Sequence, residues 1–444
     1  MIGPRFERNP GLTASERILA ELADRSFLKL WTYANPFKER NRELTDLIVV
    51  FGDDVLLFSD KGGAYPDSGD PAVDWRRYFR SAIANSARQI RTAEHWIRQF
   101  PDRVYLDVRC ETPLPLALPP VDRLRVHRIC VAPAATDAAR QRAQQTGLAI
   151  MPEIIDDTRP YAVGQVTGCR GWVHVFDEDT MSVVLPALST ASDFIAYLRA
   201  KEDLIATGGL HYAPSEKDLL AIYLLNERAF PRGEDPLDVP QGSWDALAAH
   251  PQFQMAQALN RRGDLWDQLI ERITDAIVQG NAVMGNDVEM ADFEKVVRCM
   301  AAEDRFDRRV LSGAVLERAQ RAFGGTISSV LPSQANPTVG YVLLIKDHDI
   351  ETPYEEYREV RRMEMLLRVH AAAVARPEFM TIIGLALDAP NGRGGSEDFV
   401  YLDAAAATVD ERAEWAAMRR ERRYFIEGVV EQNRVTEDEY PDLL

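Results

Sequence analysis

"RELTDLIVVFGDDVLLFSDK", residues 42–61, decides how the first part of this chain folds. Two short apolar runs, "DLIVVF" and "VLLFSD", flank Gly52-Asp53-Asp54, the composition of two strands joined by a tight turn. Side chains alternate along a strand, so the length of the turn decides which of them meet. A two-residue loop of Asp53-Asp54 sets Asp46 directly opposite Lys61. A loop of Gly52-Asp53 sets Asp46 opposite Ser59, with Lys61 a diagonal neighbour. Either register gathers Asp46, Ser59 and Lys61 on one face, within cross-strand distances of about 4.5–8 Å. A three-residue loop would instead bring Asp60 to that face and turn Lys61 away.

The flanking sequence extends this hairpin into a helix–strand–strand–strand–helix–strand order over residues 1–110. "TASERILAELAD" carries a capping signal and an apolar face at Ile18, Leu19 and Leu22. "SFLKLWTY" reads as a strand. From Asp74 a long helix places Trp75, Phe79, Ile83, Ile90, Ile97 and Phe100 on one stripe. "RVYLDV" is the strand expected after it. Beyond a Pro-rich break, "RLRVHRICVAP" predicts another strand, "WVHVFDEDTMSVVL" a strand pair and "TASDFIAYLRAKEDLIATG" a capped helix. The fold class is therefore α/β. An α/β domain is expected over 1–210, a mainly helical region over 211–324 and an α+β region over 325–444, where "GYVLLIKD", a long helix, "FMTIIGLALD" and "DFVYLD" follow in turn. "NGRGGSED", residues 391–398, lies between two expected strands with no helix after it, and reads as a loop rather than a phosphate cradle.

At 444 residues the chain exceeds one ordinary domain, and 46% apolar with 27% charged residues suits a globular protein with a real core. It lacks the run of about 18 apolar residues that a membrane span needs. Its N-terminus lacks the apolar segment of a signal peptide. Cys110, Cys130, Cys169 and Cys299 form no CxxC pair. Free thiols in a reducing cytoplasm are the expectation. The net charge of −17 argues against a protein coated in nucleic acid. The acid is unevenly spread: residues 1–110 hold 17 basic and 16 acidic side chains, the remainder 35 and 53. A DNA-binding surface is thus compatible with the first segment alone. Arg76, Arg77, Arg80, Arg88 and Arg91 make its long helix basic, either as a solvated face or as a phosphate contact.

In order and spacing these residues resemble the PD-(D/E)xK, or restriction-endonuclease-like, nuclease superfamily of the nuclease-related-domain type. The resemblance covers a core of about residues 10–110. Glu16 looks like the family's helix glutamate, Asp46 its strand aspartate, Lys61 its motif lysine and Gln89 its helix glutamine. The resemblance implies an αβββαβ mixed-sheet core and Mg²⁺- or Mn²⁺-dependent hydrolysis of phosphodiester bonds in DNA, in defence against foreign nucleic acid. Asp46 and Glu16 would bind the metal. Lys61 would stabilise the attacking water or the phosphate, and Gln89 would orient a ligand or the lysine. A carboxylate suits Mg²⁺ because the ion takes hard oxygen ligands.

One position departs from the pattern. Ser59 stands where the family carries a second acidic residue. Asp60 would serve as a metal ligand if a bulge or a three-residue turn brought it round. Glu43 or Glu16 would otherwise substitute, or the metal site is lost and the fold kept for binding. Glu16 also follows Thr13 by three residues, as the glutamate of a capping box does. Asp46 as a loop end, Lys61 as a charge on a strand edge and Gln89 as a solvated side chain are the plain structural alternatives. The competing function is a catalytically inactive nuclease-fold scaffold that binds a protein partner or oligomerises through the acidic C-terminal part.

Overall fold

Gly52 and Asp53 make the hairpin turn. Phe51 pairs with Asp54, and the antiparallel register runs without a bulge to Leu47 opposite Phe58. Gly52 has φ +63, while Asp53 stays at negative φ. That sign pattern belongs to the turn that wants glycine first, and its twist matches the flanking strands. Of the registers open in the sequence, the one with Asp46 opposite Ser59 is realised.

The computed structural model describes residues 9, 11, 14–61, 63–278, 290–349, 351–390, 395–426 and 437–440. It divides into two compact units, 1–254 with 274–294, and 255–273 with 295–444. The helical region expected over 211–324 is shared out between them. Both units are mixed α/β, each with a mixed sheet. No single helix among the described residues is long and apolar enough to cross a membrane.

The first unit opens with α1 (Ala14–Phe27), β1 (Thr32–Ala34), β2 (Leu47–Phe51) and β3 (Asp54–Asp60). A long helical segment follows: α2 (Pro71–Tyr78), a π-helical stretch over Phe79–Ala84, and α3 (Asn85–Gln99). Then come β4 (Arg125–Val131), β5 (Val173–Phe176), α4 (Glu178–Ala187) and α5 (Ala191–Ala206). The sheet order is β1-β2-β3-β4-β5, with β1, β2 and β3 antiparallel in turn and β3, β4 and β5 parallel.

Alternation along β3 sorts the layers. Phe58 meets Phe27 of α1, and Phe176 of β5 meets Phe194 of α5, so those helices cover one face. Ser59 reaches Gln89 of α3, and Cys130 lies against Ile83, so the long helix covers the other. Trp75, Phe79, Ile83, Ile90 and Ile97 of the expected stripe are all buried. A fully buried Ile or Phe of this kind contributes about 1.5–3 kcal/mol.

Three expected strands differ. "SFLKLWTY" yields strand only from Thr32, because α1 runs to Phe27 and Leu28 turns the chain at φ +65. "RVYLDV" forms only isolated bridges from Tyr105 to Phe37 and Pro113. Asp107 there accepts backbone N–H bonds from Arg109, Glu111 and Thr112, folding a loop instead. The strand that closes the α-β-β-β-α-β order is therefore Arg125–Val131, and the core runs past residue 110. The second half of "WVHVFDEDTMSVVL" is the helix α4, because Asp177 caps it by accepting the Thr180 N–H at 2.8 Å.

The second unit contains β6 (Thr326–Pro332), β7 (Val339–Lys346), α6 (Tyr354–Ala375), β8 (Thr381–Asp388) and β9 (Glu397–Asp403). Its sheet order is β6-β7-β8-β9, parallel only between β7 and β8. Val342, Leu344, Met365, Val369 and Ile382 form its core. Gly384 gives close helix–sheet packing there, since a Cβ would lie 2.7 Å from Met365 Sδ and 2.8 Å from Val369 Cγ2. Residues 391–394 of the expected Gly-rich loop lie outside the described residues.

A buried ion pair ties α3 to the sheet of the first unit. Arg128 Nε and Nη2 donate to the two oxygens of Glu94, each at 2.7 Å, and both residues are buried. Removing one partner leaves an uncompensated buried charge, whereas replacing both removes the desolvation penalty as well. Glu94→Leu alone should cost about 3–5 kcal/mol in chemical denaturation. Adding Arg128→Met should recover most of that loss. A double variant no more stable than the single would show the pair to be needed as such.

Candidate active site

Asp46 ends the approach to β2 and is buried, at 2% exposure. Its Oδ1 accepts from Gln89 Nε2 at 2.9 Å and lies 3.7 Å from Lys61 Nζ. Its Oδ2 accepts the Asp60 backbone N–H at 2.5 Å and lies 3.4 Å from Ser59 Oγ. The Ser59 hydroxyl donates to Gln89 Oε1 at 3.1 Å. Ser59 thus links the aspartate to the glutamine, at a position where a second carboxylate would face Asp46 directly. Three of the four residues expected to be catalytic, Asp46, Lys61 and Gln89, meet here.

The fourth, Glu16, arrives through a residue that the sequence reading did not single out. Asn35 is fully buried, and its backbone N–H donates to the Asp46 carbonyl at 2.8 Å. Its side-chain Nδ2 donates to Glu16 Oε2 at 3.1 Å and to Glu43 Oε1 at 2.5 Å. Two carboxylates share one amide nitrogen beside a third carboxylate. Asn35 has φ +46 and precedes Pro36, a strained place for any residue but one that asparagine tolerates best after glycine. The local signal for it was Asn35-Pro36, a common turn dipeptide with no chemistry attached. Thr13, the capping partner considered for Glu16, lies outside the described residues.

Asp60 does not join the cluster. With no bulge in β3 its carboxylate points to the opposite face from Ser59. Its charge is felt instead at the buried Tyr78 phenol, which burial, then Asp177, Glu178, Tyr65 and Asp60 push well above the usual tyrosine range. The acid that accompanies Asp46 is Glu43.

The electrostatics follow from burial and like charge. Burial raises the Asp46 carboxyl above its ordinary value of 3.8, with Glu16 adding to the rise and Lys61, the Asp60 N–H and Gln89 opposing it. Burial likewise raises Glu43 above 4.5, opposed by Asn35 and Lys61 and reinforced by Asp46 and Glu16. Two acids held raised beside one lysine are an arrangement that a cation or a substrate would balance. The Asn35 Oδ1 atom sharpens this. It is buried and has no hydrogen-bond partner among the described residues, although the Nδ2 of the same amide serves two carboxylates. A buried carbonyl oxygen left unpaired costs about 1–3 kcal/mol and calls for an ion or a water.

A stability test follows from the sign of the Asp46 shift. An acid whose folded pKa is raised destabilises the fold once it ionises, so the cost is present at neutral pH and vanishes below the unfolded value of 3.8. Asp46→Asn removes that cost but sets its amide nitrogen against the Gln89 or the Asp60 donor at every pH. Its Tm relative to the wild type should therefore rise between pH 4 and pH 7. A difference that stays constant or falls over that range would show that the Asp46 pKa is not raised. Set against protein-family models, curated proteins and solved structures, the chain has no match.

Proposed function

We propose that the first unit is a restriction-endonuclease-like domain carrying a Mg²⁺-dependent phosphodiesterase site for DNA. The observation that carries this reading is the convergence of Glu16, Glu43 and Asp46 around Asn35, whose carbonyl oxygen is buried and unpaired. All four side chains offer hard oxygen donors, the kind that Mg²⁺ or Mn²⁺ takes. The α-β-β-β-α-β order of the domain supports the same reading.

Asp46 and Glu43 would hold the ion, with Glu16 assisting. The ion would supply Lewis-acid polarisation of the phosphodiester and a more acidic bound water. The Lys61 side chain reaches solvent, at 38% exposure, and its ammonium would stabilise charge growing on the phosphate. Gln89 fixes the orientation of Asp46 through Nε2 and of Ser59 through Oε1. Ser59 would serve in place of the family's second acid because Glu43 brings that charge from the short strand Arg42–Glu43, which pairs with Phe37–Glu39. The exposed Arg76, Arg77, Arg80, Arg88 and Arg91 would contact the DNA backbone. A role in defence against foreign nucleic acid is in keeping with such a site.

The competing reading, an inactive scaffold that binds a protein partner or oligomerises, has one observation of its own. Each oxygen of Asp46 is already engaged by protein donors, and its own exposure is small.

Cleavage of single- and double-stranded DNA with Mg²⁺ or Mn²⁺ separates the two. Asp46→Ala, Glu43→Ala and Lys61→Ala should each lower the rate by at least about 10²–10³-fold. Activity should rise with pH through the region just above ordinary carboxylate values, because Asp46 and Glu43 must ionise first. Equal cutting by all four proteins, or none with either metal, would leave the scaffold.

A further inference from the structure

The opposite face of the same sheet holds a second polar cluster that the nuclease reading does not use. His127 lies on β4 opposite Leu56, and His174 lies on β5 opposite Ile129. Strand alternation places both imidazoles on the face covered by α5, which contributes Glu202. His127 Nδ1 and His174 Nε2 both lie 3.0 Å from Glu202 Oε1. The three donor atoms fall within 4.8 Å of one another.

We infer that His127, His174 and Glu202 form a site for a divalent first-row transition-metal ion, with Zn²⁺ the best fit. Two imidazoles and a carboxylate are the donor set of open, three-ligand zinc centres. Donors on a tetrahedral Zn²⁺ at about 2.0–2.1 Å from the metal stand about 3.3–3.4 Å apart. Two of the contacts here need to open by only a few tenths of an ångström to accept it.

The surroundings are built as metal sites are. A ligating histidine characteristically donates its other ring N–H to a carboxylate, which fixes the ring and raises its basicity. His127 Nε2 lies 3.0 Å from Asp54 Oδ1, and Asp54 is held in turn by Arg199, whose Nε donates to Oδ1 at 3.1 Å. His174 is wholly buried, and its Nδ1 has no hydrogen-bond partner among the described residues. The nitrogen of His174 that faces Glu202 is Nε2, so that is the atom it would offer the ion. The charges nearby are already matched. Arg199 neutralises Asp54, and buried Lys201 is paired with Glu216 at 2.5 Å. Glu202 is the one ligand open to solvent, with 28% of its side chain exposed. Ion entry and the remaining coordination position lie on that side.

Without a metal, both ring nitrogens of His127 face carboxylates, so both must carry protons. The ion would take the place of the Nδ1 proton on His127 and the Nε2 proton on His174. Mg²⁺ is excluded chemically, because it prefers oxygen ligands. This site is therefore distinct from the carboxylate cluster around Asp46.

The test uses the full-length protein, stripped with a chelator and titrated with Co²⁺. One equivalent should develop visible d–d bands, Zn²⁺ should abolish them, and an excess of Mg²⁺ should leave them. Elemental analysis after gel filtration should find one Zn²⁺ per chain. His127→Ala with His174→Ala should lose the bands and the zinc. Asp54→Asn, which touches His127 but none of the three ligand atoms, should weaken binding by about 10–100-fold. Asp46→Ala should leave the stoichiometry unchanged, whatever it does to DNA cleavage. His211→Ala removes an exposed histidine beside Asp238 and should also retain one zinc. No bands and no retained zinc in the wild type would overturn the inference. So would full retention by the double histidine variant, or loss of the zinc in His211→Ala.

Discussion

The two-residue turn at Gly52-Asp53 fixes where everything else in the first unit sits. Its register sets the parity of β3, and a strand has only two faces. Asp54, Leu56, Phe58 and Asp60 face α1 and α5, while Val55, Leu57 and Ser59 face α3. One strand therefore supports two polar clusters, at opposite ends and on opposite sides. Asp54 at its start holds His127. Ser59 near its end holds Gln89, opposite Asp46. A turn longer by one residue would exchange the faces and dissolve both groups. Glycine at position 52 matters because its φ of +63 is costly for any side chain but cheap for glycine.

The fold carries several buried charges, and they differ in how fully they are answered. Glu94 and Arg128 meet through two parallel hydrogen bonds, so neither is left short. In the second unit buried Arg361 lies against Asp388 and Asp398, and Arg358 and Arg362 also donate to Asp398. Asp388 accepts in addition from Tyr357 and from the Ser396 N–H. These groups close on themselves and lower the Asp398 carboxyl below its ordinary value. Around Asn35 the balance is less complete: Asp46 and Glu43 are both raised, and a carbonyl oxygen has no partner among the described residues. Buried groups that satisfy one another hold a fold together, while groups that remain short mark a place where something else binds.

Much of the first cluster was legible because it is local. Asp46, Ser59 and Lys61 lie within sixteen residues, and strand parity alone brings them together. Gln89 came only from the family resemblance, since helical spacing left it at the edge of the apolar stripe. Glu43 was visible only as one acid among several, because its strand is two residues long and its role comes from Asn35 across a turn. Asn35 was not legible, since neither a backbone at φ +46 nor an orphaned oxygen leaves a mark in residue type. The histidine cluster left no spacing motif at all. His127, His174 and Glu202 come from two strands and a helix spread over some 75 residues, and only sheet register makes them neighbours. The misplaced strand "RVYLDV" shows the converse. Its alternation was correct, but Asp107 offered the backbone a competing set of hydrogen bonds.

Ser59 shows how position and chemistry can separate. Two carboxylates directly opposite on adjacent strands repel, and burial would magnify the cost. A hydroxyl at that position donates to Gln89, which in turn donates to Asp46, so the aspartate is oriented without a second charge beside it. Glu43 stands nearby, where Asn35 holds it and the solvent-reaching Lys61 partly offsets its charge. The hairpin strands are thus spared like charges face to face. An acid at position 59 would place a further carboxylate beside two whose pKa values burial already raises. It would help only to the extent that a bound cation supplied what Lys61 cannot.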